Sequence, residues 1–265
     1  MLNHNFLDKT LVHKLSTTGI DSSSLALRVK NDLDFMLELW RSQGLSIKKE
    51  FNNYFFQTKL TPLKETTFCI VDIETNGSCV EKHQIIELAA IKVKDGNIID
   101  KFKSFVKCSE INEYIVAITG ITTDHTRYAP KLKDVLYDFR VFLDDSIFVA
   151  HDVRFDYNFI SKSMQKVGLE PLLNRSLCTI ALAQRTIEAY RYKLSYLNEL
   201  LSLHPDAKHH RAMCDVLATY ELFKLSLSKI DKNLQNCEDL IYFVKHEKML
   251  KRPLIDPLAD EQTIR

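Results

Sequence analysis

The sequence predicts an α/β fold, a mixed five-stranded sheet flanked by helices, with a small helical and hairpin unit ahead of it. Three observations predict it. Residues 67–71, 85–93 and 98–106 are β-branched and apolar runs, and Asp95-Gly96 between the last two is a strong hairpin turn. Short apolar runs at 147–150 and 177–179 then alternate with segments of helical period, the pattern of a sheet covered by helices. Before all of these, three apolar stripes of helical spacing lead into two strand-like runs.

In order, Leu7, Leu11, Val12 and Leu15 share one helical face, and Thr17-Thr18-Gly19 ends that segment. Ser22-Ser23-Ser24 offers an N-cap for a helix reaching Val29. Leu33, Met36, Leu37 and Trp40 form a third stripe, stopped by Gly44. Residues 46–51 and 54–57 read as strands around an Asn52-Asn53 turn. Three helices followed by a hairpin resemble a winged helix, assigned to residues 1–56. Its third helix is acidic (Asp32, Asp34, Glu38), which suits a nucleic-acid groove poorly. Residues 57–66 lack an apolar period and read as a linker.

The main domain is assigned to residues 67–228. Residues 85–93 are apolar on nearly both faces, as a central strand should be. A helix over 110–118 is followed by a turn at Thr119-Gly120-Ile121-Thr122. Pro130 opens another helix, whose stripe is Leu132, Val135, Leu136, Phe139 and Leu143. His151-Asp152 begins a helix carrying Phe155, Phe159 and Ile160, and further helices cover 180–190, 194–201 and 211–227. The tail, 229–265, holds a helix over 236–250 and then Pro253 and Pro257, which suits a segment that docks on a partner.

Composition narrows the functional class. Of 265 residues 45% are hydrophobic, which excludes a largely disordered chain. No apolar run approaches the ~20 residues of a membrane span, and the first residues carry no signal-peptide pattern. Six cysteines without a C-x-x-C pair are expected to be reduced core residues in the cytoplasm. The net charge of +1 means that any phosphate contact must come from local groups or from metal.

Three motifs carry chemistry. Asp72 and Glu74 end the first strand and, two residues apart, point to the same face. Paired carboxylates repel unless a cation lies between them, and all-oxygen ligands favour Mg²⁺ or Mn²⁺ over zinc. Asn76-Gly77 then turns the chain away, though a plain surface turn would use the same residues. Asp156 falls in the first turn of a helix, where an Asp can simply complement the dipole. Asp152 fits that role better, and Asp156 borders the buried stripe. Asp215 borders the stripe Met213, Val216, Leu217 and Tyr220, where a carboxylate is unfavourable without a cation. His210 is five residues earlier, about 140° round a helix, so it shares the site only if it precedes the helix. His209 beside it leaves the choice of histidine open from spacing.

Asp72-x-Glu74, Asp156 and His210-x4-Asp215, in that order, resemble the DEDD exonucleases with histidine in the last motif. Val71-Asp72-Ile73-Glu74-Thr75-Asn76-Gly77, Ile85-Ile86-Glu87-Leu88-Ala89-Ala90 and the run from His209 to Val216 sharpen the likeness. It is greatest to the DnaQ-like proofreading exonucleases, the epsilon subunit of bacterial DNA polymerase III and the domain embedded in Gram-positive replicative polymerases. The likeness covers residues 65–228 and departs at Asp152, where the family often has Asn.

The resemblance implies a ribonuclease H-like fold and a two-metal 3′–5′ exonuclease. Asp72, Glu74, Asp156 and Asp215 would hold two Mg²⁺ or Mn²⁺ ions, and His210 would take the proton of the attacking water. Glu74 would lie near the terminal 3′-OH, with Ile73 and Thr75 against the last nucleotide. It further implies single-stranded DNA or frayed 3′ ends as substrate, nucleoside 5′-monophosphates as product, and a replicative polymerase subunit as partner through the flanks. The same motifs occur in enzymes that trim RNA 3′ ends. A non-catalytic scaffold would be expected to lose acidic ligands, and all four are present.

Overall fold

The computed structural model describes residues 7–29, 32–204 and 211–259. The first unit comprises α1 (Lys9–Ser16), β1 (Ile20–Asp21), α2 (Ser22–Val29), α3 (Leu33–Ser42), β2 (Ile47–Glu50) and β3 (Asn53–Phe56). Asp8 and Asp32 cap α1 and α3 by accepting from the amides of Leu11 and Phe35. The expected hairpin is β2–β3, and the two-residue β1 adds to its other edge in the antiparallel order β1-β3-β2. Leu11, Leu15, Leu25, Met36, Trp40 and Phe56 close a separate small core.

The main sheet contains β4 (Phe68–Thr75), β5 (Ile85–Lys94), β6 (Asn97–Phe105), β7 (Ile147–Ala150) and β8 (Ser176–Cys178), in the order β6-β5-β4-β7-β8. Asp95 and Gly96 both have positive φ, as a tight turn joining β5 to β6 requires. Strand β4 is antiparallel to β5 and parallel to β7, so the sheet is mixed, as expected. The C-terminal ends of β4 and β7 therefore open on the same edge, where the pairing changes direction. Such an edge is where open α/β sheets place their sites.

The helices of this unit are α4 (Gln57–Leu60), α5 (Glu113–Thr119), α6 (Thr123–Thr126), α7 (Leu132–Leu143), α8 (Val153–Lys166), α9 (Thr179–Thr186), α10 (Leu194–Leu201), α11 (Ala212–Ser228) and α12 (Cys237–His246). Alternation along β4 divides the core. Phe68 and Ile70 pack with Val216, Tyr220 and Phe223 of α11, while Cys69, Val71 and Ile73 pack with Leu136 and Phe139 of α7 and Phe159 and Ile160 of α8. No helix among the described residues is long and apolar enough to cross a membrane.

Two flanking segments differ from the sequence reading. Residues 57–66, expected as a bare linker, form α4 and a 3₁₀ turn, Leu63–Glu65. The Leu63 amide donates to the Gln235 carbonyl at 2.8 Å, so backbone pairing with the tail orders them. The tail helix is not a free docking segment either. Capped by Asn236, α12 buries Cys237, Leu240, Ile241, Phe243 and Val244 against the face of the sheet that α11 also covers. Its apolar face already has a partner in its own chain.

A buried ion pair ties the three parts together. Glu238 of α12 accepts from Arg175 Nε and Nη2 at 2.8 and 2.6 Å and from the Thr58 hydroxyl at 2.5 Å. The Arg175 guanidinium also lies 4.7 Å from the Phe56 ring centroid. Gly44 holds φ +91°, and a Cβ there would collide with the Asn174 amide, so its glycine permits the close approach of the first unit to the main domain.

Candidate active site

Three carboxylates converge at the C-terminal end of β4. Alternation puts Asp72 and Glu74 on the face that carries Phe68 and Ile70, the face covered by α11. Ala212, Val216 and Tyr220 hold α11 on the sheet, and this places Asp215, one turn into the helix, beside them. One ligand oxygen from each of Asp72, Glu74 and Asp215 lies within 4.8 Å of the others.

Asp156 approaches from the far side of β4. It is buried in the first turn of α8, and the Ile73 backbone hydrogen-bonds its carboxyl. Asp152 occupies the N-cap position of α8 but makes no capping bond from its side chain. Asp156 lies outside the group of three whose oxygens meet within 4.8 Å, yet its charge acts on Asp72. Ile73 and Phe155 line the cleft with Asp72, Asp156 and Asp215, and Thr75 ends β4 just past a register shift. His210 and His209 lie outside the described residues.

Burial and mutual repulsion shape the electrostatics of these carboxylates. Burial, and then the charges of Asp156, Glu74, Asp215 and Glu87, hold the Asp72 carboxyl well above the ordinary range. Glu74 is pushed up to about 8, first by burial and then by Asp215, Glu87 and Asp156. Asp156 is pushed up to about 8, chiefly by burial. Oxygen donors crowded this way fit a hard divalent ion.

A pH dependence follows. An acid whose pKa is raised on folding stabilises the fold while protonated, and this contribution is lost as the pH climbs through the folded value. The melting temperature of the metal-free protein is therefore expected to fall between about pH 4 and about pH 8. Added Mg²⁺ or Mn²⁺ should restore it most at the alkaline end. Thermal melts at several pH values, with chelator and with metal, check this; a flat metal-free profile would contradict it.

Both ring nitrogens of His151 are engaged. Its Nε2 meets the Tyr192 carbonyl at 2.9 Å and must donate, leaving Nδ1 to accept from the Thr179 hydroxyl at 3.0 Å. Burial lowers its pKa and favours this neutral form.

Sequence reasoning gave no role to Glu87 and Arg211. Glu87 is fully buried, faces Glu74 across the β4–β5 ladder, and accepts from Arg211 and from the Ala212 amide. The available signal was a lone carboxylate within an otherwise apolar strand, since such a group must find a partner.

The sequence model of the exonuclease family matches residues 69–223, which span β4 to α11. The chain belongs to that family. Among curated relatives, a PolC-type DNA polymerase III of Staphylococcus haemolyticus is 36% identical over 193 residues, covering 72% of this chain and 13% of that polymerase. The Oceanobacillus iheyensis counterpart is 36% identical over 177 residues, 66% of this chain and 12% of its own length. This exonuclease chain thus spans about an eighth of the polymerases it resembles. Among solved structures, E. coli exonuclease I bound to single-stranded DNA superposes with a TM-score of 0.60 at 19% identity, over 69% of this chain and 43% of that one. Exonuclease X bound to 5′-overhanging duplex DNA gives 0.52 at 24% identity, over 65% and 99%. Both share the mixed sheet flanked by helices.

Proposed function

We propose that this domain is a metal-dependent 3′–5′ exodeoxyribonuclease that releases nucleoside 5′-monophosphates from DNA 3′ ends in proofreading or repair. The observation that carries this is the convergence of Asp72, Glu74 and Asp215, with Asp156 opposite, at the open edge of the sheet. The likeness to PolC-type polymerases supports DNA as the polymer and a replicative polymerase as a partner, with the cytoplasm as setting.

Asp72, Glu74, Asp156 and Asp215 would hold two Mg²⁺ or Mn²⁺ ions. Bound metal supplies an activated water and charge neutralisation at the scissile phosphodiester. Ile73 and Thr75 pack against the last nucleotide, and Glu74 lies near its 3′-OH. His210 takes the proton of the attacking water, while His151, with both ring nitrogens engaged, keeps the wall of the cleft in place. The unit of residues 1–56 reads as a winged helix whose hairpin presents Lys48, Lys49 and a fully exposed Phe51 to DNA or to the replication machinery.

Digestion of 3′- and 5′-labelled single strands, DNA beside the matching RNA, tests the reading. Mononucleotides should appear from DNA 3′ ends only with Mg²⁺ or Mn²⁺. Preference for RNA would make the domain an RNA-trimming enzyme, and no metal-dependent hydrolysis of either would leave a binding scaffold. In the same assay His210→Ala should lower turnover by about 10²–10⁴ with metal affinity nearly unchanged, and His209→Ala far less. The reverse ranking would move the base to His209.

A further inference from the structure

We infer that Glu87 and Arg211 form a positioning clamp that sets Asp215 against Asp72 and Glu74 and so tunes the metal affinity of the site. The inference rests on the reading of these three carboxylates as metal ligands. Glu87 lies on β5 directly opposite Glu74 on β4. Its side chain is fully buried, at 0% exposure. It accepts from Arg211 Nε and Nη2 at 3.3 and 3.4 Å and from the Ala212 amide at 3.2 Å, and Lys103 Nζ stands 3.6 Å away. The Arg211 guanidinium also lies 5.5 Å from the ring centroid of Phe105, which faces Glu87 from β6. The start of α11 is therefore pinned to both β5 and β6.

Arg211 is the residue from which α11 begins. Its carbonyl accepts from the amides of Cys214 and Asp215 at 2.8 and 3.2 Å. A shift at Arg211 therefore reaches Asp215 through one helical turn. Glu87 is not among the carboxylates whose oxygens meet within 4.8 Å, so it acts through Arg211 and Ala212 rather than as a ligand. A buried carboxylate is a poor choice for stability alone, because well-packed apolar residues can replace a buried ion pair with little loss. Its geometric use is to hold a helix start in one register, and partners that orient metal ligands typically change affinity by about 10–100-fold.

Two substitutions separate positioning from simple charge. Glu87→Gln removes a negative charge near the site, and Arg211→Met removes a positive one. If the two residues act only as charges, the first weakens Mn²⁺ binding and the second tightens it. If they act as a clamp, both weaken it, by about tenfold each. The readout is Mn²⁺ affinity on the full chain by calorimetry and electron paramagnetic resonance, with melting temperature recorded beside it. If Arg211→Met fails to fold, the charge-neutral pair Glu87→Gln with Arg211→Met replaces it and should show the same weakening. Tighter binding by Arg211→Met, or affinities within twofold of the parent for every folded variant, would overturn the clamp. Failure of the metal reading is distinct: the unsubstituted chain would then bind no Mn²⁺ that Asp215→Asn abolishes.

Discussion

Replacing Asp72 or Asp215 by Asn is expected to abolish metal-dependent release of mononucleotides, a loss of at least about 10³-fold, and to leave the metal-free fold intact or firmer. The loss follows from the chemistry. Metal stabilisation of a phosphoryl transition state is worth several kcal/mol, and ~4 kcal/mol is about 10³ in rate. The gain in stability follows from the electrostatics. Burial and the charges of Asp156, Glu74, Asp215 and Glu87 all disfavour ionised Asp72. A neutral amide of the same shape removes that repulsion, so the melting temperature without metal should hold or rise near pH 8 and lose its response to Mg²⁺. Activity assays paired with melts, with chelator and with metal, check both halves. Near-normal turnover in either variant would sink the assignment. Lost activity with a collapsed melt would mean that the carboxylates serve the fold.

The cluster of Asp72, Glu74 and Asp215 was legible because its signals are local. Two carboxylates two apart at the end of an apolar strand must share a face, and Asp215 at the border of a core stripe must point at the sheet. The mixed sheet was legible for the same reason, from the Asp95-Gly96 turn and the β-branched runs. What could not be read is held by contacts between distant residues. Glu87 meets Arg211 across 124 positions, and Thr58 meets Glu238 across 180. Neither pair leaves a periodic trace. The stretch 57–66 looked like a linker because its order comes from pairing with the tail. Strand β1 escaped notice because two residues cannot display alternation. Asp152 took the expected N-cap position without the expected bond, since the backbone there sits at φ −118° and ψ 80°.

Ending the chain at residue 229 is expected to unfold the domain. A tail that only docks on a partner, as the sequence suggested, would be dispensable for the fold. The position of α12 decides against that. Cys237, Leu240, Ile241, Phe243 and Val244 are buried on the sheet face that also packs α11, the helix carrying Asp215. At about 1.5–3 kcal/mol for each large apolar side chain, their removal withdraws on the order of 10 kcal/mol. A domain is stable by only about 5–15 kcal/mol in all. The deletion also strands the Arg175 guanidinium, which is buried against Glu238 and Phe56. Milder changes should grade the effect within the intact chain. Leu240→Ala should lose about 2–5 kcal/mol by leaving a cavity, and Glu238→Ala about 3–5 kcal/mol by leaving a buried charge unpaired. Urea titrations of the full chain and its variants measure these, and circular dichroism with solubility tests reports on the truncated chain. A cooperative transition and native spectrum for residues 1–229 would show that α12 only decorates the sheet. Aggregation of that chain, with graded losses in the point variants, would make α12 an integral part of the core on which α11, the helix that presents Asp215, also packs.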